Sequence, residues 1–323
     1  MIFEALLQIE KNQVNEFLLE NGLKLDNNVD KTLYIKEDDK IIATISKDRF
    51  IIKCLAVDKK YRGNNYATIL VSEIISSIIY EGYNYYQVFT KLEYKDIFID
   101  LGFKELVSTL NTIVLESKGN NINDYLYNLK KRLIFYTDDV AGIVLNANPF
   151  TLGHLHLVLE ASKNHEHVIV FILEEDKSYY SFKERFSLAY LALRHLSNVT
   201  VLPSSSYIVS SLTFPSYFIK DEILLNEEYA LIDALIFSNY FMKELNIKYR
   251  YVGEEETNIM VIYNNTLKEV LKDKLVVIPR YNNISASYVR ELVKNGKIDD
   301  AKSLIPDNIW ELFKDISHNK ANS

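Results

Sequence analysis

This sequence predicts an α/β protein of two successive domains: a small α+β domain over 1–117, then a doubly wound parallel sheet over 139–323. Three observations lead there. From Val140 onward, short apolar runs of buried-strand length alternate with helix-periodic segments, the pattern of a parallel sheet covered by helices. Before residue 117 the apolar runs instead crowd together, with few helices among them. Between the two lies 118–138, polar and opened by Gly119-Asn120-Asn121, with the composition of a linker. A length of 323 residues suits two domains.

In the first domain, Gln13–Leu23 reads as a helix. Thr32–Ile35, Ile41–Ile45 and Phe50–Val57 read as strands. The turn Lys59–Ala67 opens a helix through Tyr80, and Tyr85–Thr90 is another strand. Tyr94–Leu101 is a short helix closed by Gly102, a residue suited to the left-handed conformation of a C-cap. Phe103–Leu106 and Thr112–Leu115 complete the sheet, and Asn121–Lys131 is a connecting helix.

In the second domain the strands are Val140–Leu145, His167–Leu173, Val199–Pro203, Tyr249–Gly253 and Leu275–Pro279. Helices fall at 153–163, 182–196, 226–245, 260–272 and from Ser285 to Lys294. Ile305–Phe313, with Trp310, is a terminal amphipathic helix, and fraying is expected from His318 on. Ligands of such sheets sit at the carboxyl ends of the strands, near the reversal of strand order. Asn148–His154, Glu174–Lys177, Gly253–Glu255 and Ser285–Arg290 all fall at those ends.

Composition narrows the function. Apolar residues make up 48%, enough for two cores. The net charge of −7 argues against general nucleic-acid binding, which needs a basic face. No apolar run approaches the roughly 18 residues that cross a bilayer. The single cysteine, Cys54, excludes an internal disulfide and fits a cytoplasmic setting; its place in a buried strand argues against a catalytic thiol. The histidines carry no metal-ligand spacing, so no structural metal is expected.

The chain is organised around Val140–Leu159. A buried strand runs to Leu145, Asn146, Asn148 and Pro149 break it, and a helix follows with Gly153, His154 and His156 in its first turn. A helix start offers unpaired N–H groups and a positive dipole end, which suits phosphate. Gly153 lets a ligand approach the backbone, and His154 adds a side-chain donor. His156, two residues on, faces elsewhere and is read as structural or solvent-facing. Ser285 and Ser287 lie at another helix start, and Arg290 offers a planar fork for phosphate. Lys183 and Arg185 open a further helix, either beside a triphosphate or in solvent. Asn148 either forms the turn before Pro149 or orients a ligand.

Thr151-Leu152-Gly153-His154 resembles the (H/T)-x-G-H signature of the nucleotidyltransferase superfamily, and Ile284–Arg290 resembles its second signature, I-S-S-T-x-x-R. Ser287 there takes the place of Thr. Asn146–His154, Thr213–Phe218 and Ile284–Arg290 together resemble the citrate lyase ligase family across nearly the whole chain. That resemblance implies a Rossmann-like adenylylation domain with C-terminal helices, with His154 and Arg290 catalytic. It implies ATP held by Asn146, Asn148, Thr151, Gly153, His154, Lys183, Arg185, Gly253, Glu255, Ser285, Ser287 and Arg290, with Mg²⁺ arriving on the phosphates. It also implies acetate as the acid, and as acceptor the thiol of a phosphoribosyl-dephospho-CoA group on the acyl-carrier subunit of citrate lyase. Tyr263-Asn264 matches the same family.

The first domain resembles the GNAT acyltransferase fold through Val57–Ala67 and Ile97–Phe103. Lys60, Arg62, Gly63 and Asn65 would form the loop that holds a CoA-like arm. Asn65 replaces the usual second glycine; it tolerates a left-handed backbone but crowds the pyrophosphate path. Two other readings share these signatures. One is an adenylyltransferase making a dinucleotide or CoA precursor, which has no use for the first domain. The other is a GNAT acetyltransferase with a regulatory ATP-binding domain, which would transfer acetyl without ATP.

Overall fold

The computed structural model describes residues 1–133, 135, 137–208, 214–215, 217–219, 221–255 and 258–321. Thr213 and Ser216 of the Thr213–Phe218 motif, Ile134 and Tyr136 of the expected linker, and Glu256 lie outside the described residues. Two compact units are formed, Met1–Tyr125 with Thr213–Ile232, and Leu126–Leu212 with Asp233–Ser323. The sequence division at 118–138 follows chain order, and to it the compact units add an excursion that returns to the first unit.

The first unit holds seven strands: β1 (Ile2–Glu4), β2 (Lys31–Glu37), β3 (Lys40–Asp48), β4 (Ile51–Val57), β5 (Gln87–Lys91), β6 (Phe103–Ser108) and β7 (Thr112–Ser117), in the order β1-β2-β3-β4-β5-β7-β6. Its helices are α1 (Gln8–Glu20), α2 (Tyr66–Tyr80) and α3 (Lys95–Asp100), with α4 (Ile122–Arg132) following the sheet. Helix α1 starts five residues before the expected Gln13, because the Glu10 carboxylate accepts from the N–H groups of Leu6 and Leu7 and caps that end. Gly102 takes φ +91 after α3, as a C-cap requires. Strand β1 is too short to leave a periodic signal.

One pairing shapes this unit. β4 and β5 are parallel and meet only at Ile51↔Gln87 and Ile52↔Val88. Just past that contact, Cys54 and Leu55 fall between the pairs Ser46↔Lys53 and Thr44↔Ala56, a bulge in which Cys54 takes a left-handed φ of +53. A bulge bends its strand and ends local pairing. The two strands separate from there, and a cavity of about 540 Å³ opens between them.

The second unit carries a five-stranded sheet, every pair parallel: β8 (Val140–Leu145), β9 (His167–Ile172), β10 (Val199–Pro203), β11 (Ile247–Gly253) and β12 (Leu275–Ile278). The order is β10-β9-β8-β11-β12, so it reverses beside β8, as expected of a doubly wound sheet. Its helices are α5 (Leu152–Asn164), α6 (Phe182–Leu193), α8 (Met242–Glu244), α9 (Asn258–Leu271), α10 (Ala286–Lys294) and α11 (Trp310–Ala321); α7 (Glu222–Ile236) belongs to the first unit up to Ile232 and to the second from Asp233. The single helix expected over 226–245 is broken by a π-helical turn, Phe237–Phe241. The terminal helix needs correction too: it begins at Trp310 and stays ordered past His318. Ser317 Oγ meets the buried Tyr180 hydroxyl at 2.8 Å, and Lys320 pairs with Glu184 at 3.0 Å, so its last turns are held.

β8 is buried on both faces, and its centre is Gly142. A Cβ there would stand 2.9 Å from Phe237 Cζ and 3.1 Å from Ile247 Cγ2. The Phe237 ring cannot easily yield: it lies parallel to Phe241 at 5.9 Å and under the Arg250 guanidinium at 4.4 Å. Gly142→Ala should therefore destabilise the protein by about 1–3 kcal/mol through overpacking, read as a lower midpoint in urea unfolding. An unchanged midpoint would show that this contact is soft.

Candidate nucleotide-binding site

The site is built at the carboxyl end of β8. After Leu145 the chain turns through Asn146–Phe150 and enters α5 at the N-cap Thr151. Ala147, almost fully buried, is forced to φ +50. A left-handed alanine costs of order 1–3 kcal/mol and persists only where its surroundings over-determine it. Here they do. Arg185 Nη1 donates to Asn146 O at 2.8 Å, and Arg290 Nη1 donates to Asn148 O at 2.5 Å. Asn148 Oδ1 accepts from the Tyr180 N–H at 3.0 Å.

His154 sits in the first turn of α5. Its Nδ1 accepts from the Thr151 N–H at 3.0 Å and lies 2.9 Å from Thr151 Oγ1. With Nδ1 an acceptor, the neutral ring carries its proton on Nε2, which is left as a donor. Burial pushes its pKa down to about 4. His154 is thus a neutral hydrogen-bond donor at physiological pH. His156 leaves this cluster, as its spacing implied, and stacks on Tyr281 at 4.9 Å.

The second signature folds against the first. Ser285 caps α10, its Oγ accepting from the Ser287 N–H at 3.2 Å. Arg290, one turn on, also donates to Ser287 Oγ at 2.8 Å and is half-buried. At Gly153 a Cβ would lie 3.6 Å from Ile284 O, an ordinary contact, so the two helix starts adjoin. Residues 142 positions apart in the chain thus face one another across a single hydrogen bond, Arg290 to Asn148.

One expectation changes. Arg185 is not a phosphate ligand in this arrangement. It is fully buried, and Nε, Nη1 and Nη2 donate to the carbonyls of Tyr180, Asn146 and Glu175, with the Glu175 carboxylate 3.4 Å away. It ties together the loops that follow β8 and β9. Glu175 likewise accepts from the N–H groups of Lys177 and Ser178 and shapes its own loop. Lys183, by contrast, is exposed on the first turn of α6. Gly253 ends β11, its carbonyl accepting from Asn264 Nδ2 at 3.0 Å, with the half-buried Glu255 just beyond. Asn146 Nδ2 reaches Ser178 Oγ at 3.3 Å. Among the described residues, no group of three or more His, Cys, Asp or Glu is placed to hold a metal ion, and no helix is long and apolar enough to cross a membrane.

The first unit holds a second feature of interest. Arg62, Gly63 and Asn65 line its cavity, Asn65 at φ +60 directly before α2. Lys60 is not in the lining; its ammonium lies 5.2 Å over the Tyr61 ring. Sequence reasoning missed the inner wall, where Tyr217 and Phe218 arrive from a distant stretch of chain. Cys54, behind this wall, is buried, and its thiol is pushed up to about 12, so it is no nucleophile.

Residues 140–313 match the family model described as the citrate lyase ligase C-terminal domain. The chain is 32% identical over 309 residues to a protein of Escherichia coli (strain K12) named [citrate [pro-3S]-lyase] ligase, covering 91% of this chain and 87% of that one. Among solved structures, it is similar to a bifunctional NMN adenylyltransferase/ADP ribose pyrophosphatase from Francisella tularensis (TM-score 0.38, 17% identity, 57% of this chain and 52% of that one). It is also similar to a GNAT-family acetyltransferase from Staphylococcus aureus (TM-score 0.32, 16% identity, 36% of this chain and 98% of that one).

The depressed pKa of His154 has a stated sign. Between about 4 and 6.5 the unfolded chain binds a proton that the folded His154 does not. Its contribution to stability is therefore full above the unfolded value and is lost as pH falls toward 4. In a ¹H–¹³C NMR titration the His154 Cε1 resonance should move with a midpoint near 4. A midpoint near 6.5 would contradict the neutral, desolvated ring.

Proposed function

The chain belongs to the citrate lyase ligase family and is an enzyme, and from that premise we propose that it activates citrate lyase by ATP-dependent acetylation of the thiol on the lyase's acyl-carrier subunit. The reaction runs through acetyl-adenylate. One observation carries this reading: the Thr151–His154 helix start and the Ser285–Arg290 helix start adjoin, joined by the Arg290–Asn148 bond. Two helix starts with their positive dipole ends, a neutral imidazole donor and a guanidinium then converge where a triphosphate can lie.

In the first step an acetate oxygen attacks the α-phosphorus, and the bond from that phosphorus to the bridging oxygen breaks. Pyrophosphate leaves with the electron pair. Charge grows on the α-phosphoryl oxygens, and His154 Nε2–H and the first-turn amides of α5 are donors aimed at it. Arg290 keeps N–H groups beyond those given to Asn148 and Ser287, and these hold the β- and γ-phosphates with the start of α10. Mg²⁺ arrives on the phosphates as their counter-ion. Lys183, Gly253 and Glu255 stand at the same carboxyl edge, toward the pyrophosphate and the nucleoside. In the second step the carrier's thiolate attacks the acetyl carbon, the carbon–oxygen bond to AMP breaks, and AMP departs with the pair; the thiol proton goes to solvent. The cavity of the first unit, with Arg62, Gly63 and Asn65 in its lining, takes the phosphoribosyl-dephospho-CoA arm.

Exchange of labelled pyrophosphate into ATP tests the first step. It should depend on acetate; exchange that ignores acetate but follows a phosphorylated cofactor precursor would replace this reading. His154→Ala should lower the exchange rate about 10²–10³-fold while circular dichroism stays native, the loss expected for one transition-state donor.

Arg290→Ala should raise KM for ATP roughly 10- to 100-fold, the loss of a charge-assisted hydrogen bond of about 1.5–3 kcal/mol. An unaltered ATP dependence would remove Arg290 from the site.

A further inference from the structure

The described residues of the Thr213–Phe218 motif, Phe214, Pro215, Tyr217 and Phe218, lie away from the candidate nucleotide site. In chain order the motif lies between β10 and α7, yet its described residues pack in the first unit. Phe214 meets the Phe89 ring edge-on at 5.7 Å. Tyr217 is buried, donates its hydroxyl to Phe89 O at 2.5 Å, and accepts at its own carbonyl from the Lys24 N–H at 3.2 Å. Phe89 is the residue next after Val88, where the last β4–β5 pair is made. Tyr217 therefore stands at the point where the two strands part, and its hydroxyl occupies a β5 carbonyl just beyond the last β4 partner. Both Tyr217 and Phe218 line the cavity that the parting opens.

The cavity is of ligand size, about 540 Å³ against the roughly 300–1,000 Å³ of small-molecule sites. Its inner surface is largely aliphatic and aromatic, with Thr90 as a buried hydroxyl and Lys53 a buried ammonium paired with Asp26 and Asp48, while Arg62 and Asp100 supply charge elsewhere in the lining. That suits an extended, uncharged amide chain ending in a thiol, with its phosphate toward Arg62. Resting on the acceptor reading above, we propose that Tyr217 and Phe218 are the residues that select the carrier's thiol arm: Tyr217 as the wedge that keeps β4 and β5 apart, Phe218 as the apolar surface against the arm. Both are positioning residues. Burial raises the Tyr217 pKa well above its ordinary value and keeps the hydroxyl a donor to Phe89.

The test separates acceptor binding from adenylylation. Phe218→Ala should raise KM for the thiol-bearing carrier subunit at least tenfold, with Phe218→Leu recovering part of it, while acetate-dependent pyrophosphate exchange is unchanged. Tyr217→Phe, which keeps the ring, should shift the same KM in the same direction. An unchanged carrier KM, or exchange falling in parallel with it, would overturn the proposal. Wild-type protein gives a check that needs no variant: dephospho-CoA should slow amide hydrogen exchange over 52–57 and 217–219, and ATP should not. Absence of that protection would sink the pocket even if the exchange assay succeeds. Loss of wild-type pyrophosphate exchange with the protection intact would sink the adenylylation reading and leave the pocket standing.

Discussion

The guanidinium of Arg185 is the interaction on which the geometry of the candidate site depends. Burying a cation is costly unless its donors are met, and Arg185 meets all three nitrogens with backbone carbonyls beside a buried carboxylate. Those carbonyls belong to two loops, Asn146 after β8 and both Glu175 and Tyr180 after β9. One side chain thus sets the relative positions of the two loops. Its pull on Asn146 O turns that peptide so that the Ala147 N–H points the other way, since the peptide is planar and trans. Ala147 follows that peptide in the left-handed conformation, held between the bonds to Asn146 O and Asn148 O.

Much of this fold was legible. The β8 and β10 boundaries match the sequence reading residue for residue, because apolar runs bounded by polar turns are the clearest strand signal. Both helix starts of the candidate site were legible as well, through their capping residues and glycine. Arg185 was misread although a signal existed: Leu188, Ala189 and Ala192 follow it at three, four and seven residues, the spacing of one buried helix face. Lys183, two residues earlier, falls off that face and is exposed. The return of Tyr217 and Phe218 to the first unit left no local trace, because compactness depends on contacts far apart in the chain. Neither the three-residue β1 nor the bulge at Cys54 disturbs a hydrophobic pattern enough to be seen.

The bulge explains why the first unit has a cavity at all. A sheet whose neighbouring strands stay in register has no room between them for a ligand. At Cys54 the extra residue bends β4, β5 stays paired with β7 along its whole length, and the opening lies on one side only. An apolar gap of that size would collapse or fill unless something held its walls. Tyr217 does so with a hydrogen bond to one wall, and Phe214 adds an aromatic contact to the same strand.

The two arginines of the nucleotide site show how burial sorts side chains of identical chemistry. A guanidinium carries five N–H donors in a rigid fork. On Arg185 every nitrogen is engaged by protein and no surface is left, so it can only organise. Arg290 makes one bond to Asn148 O and one to Ser287 Oγ, and it remains half-buried, so part of its fork still faces outward. Burial lowers the pKa of both, yet an arginine stays charged. A lysine at either place would keep the charge and lose the planar fork that reaches three carbonyls from Arg185 and both Asn148 O and Ser287 Oγ from Arg290. The charge at this site is thus less informative than the number of donors left over after the protein has satisfied itself, and by that measure Arg290, not Arg185, is the one with donors to spare.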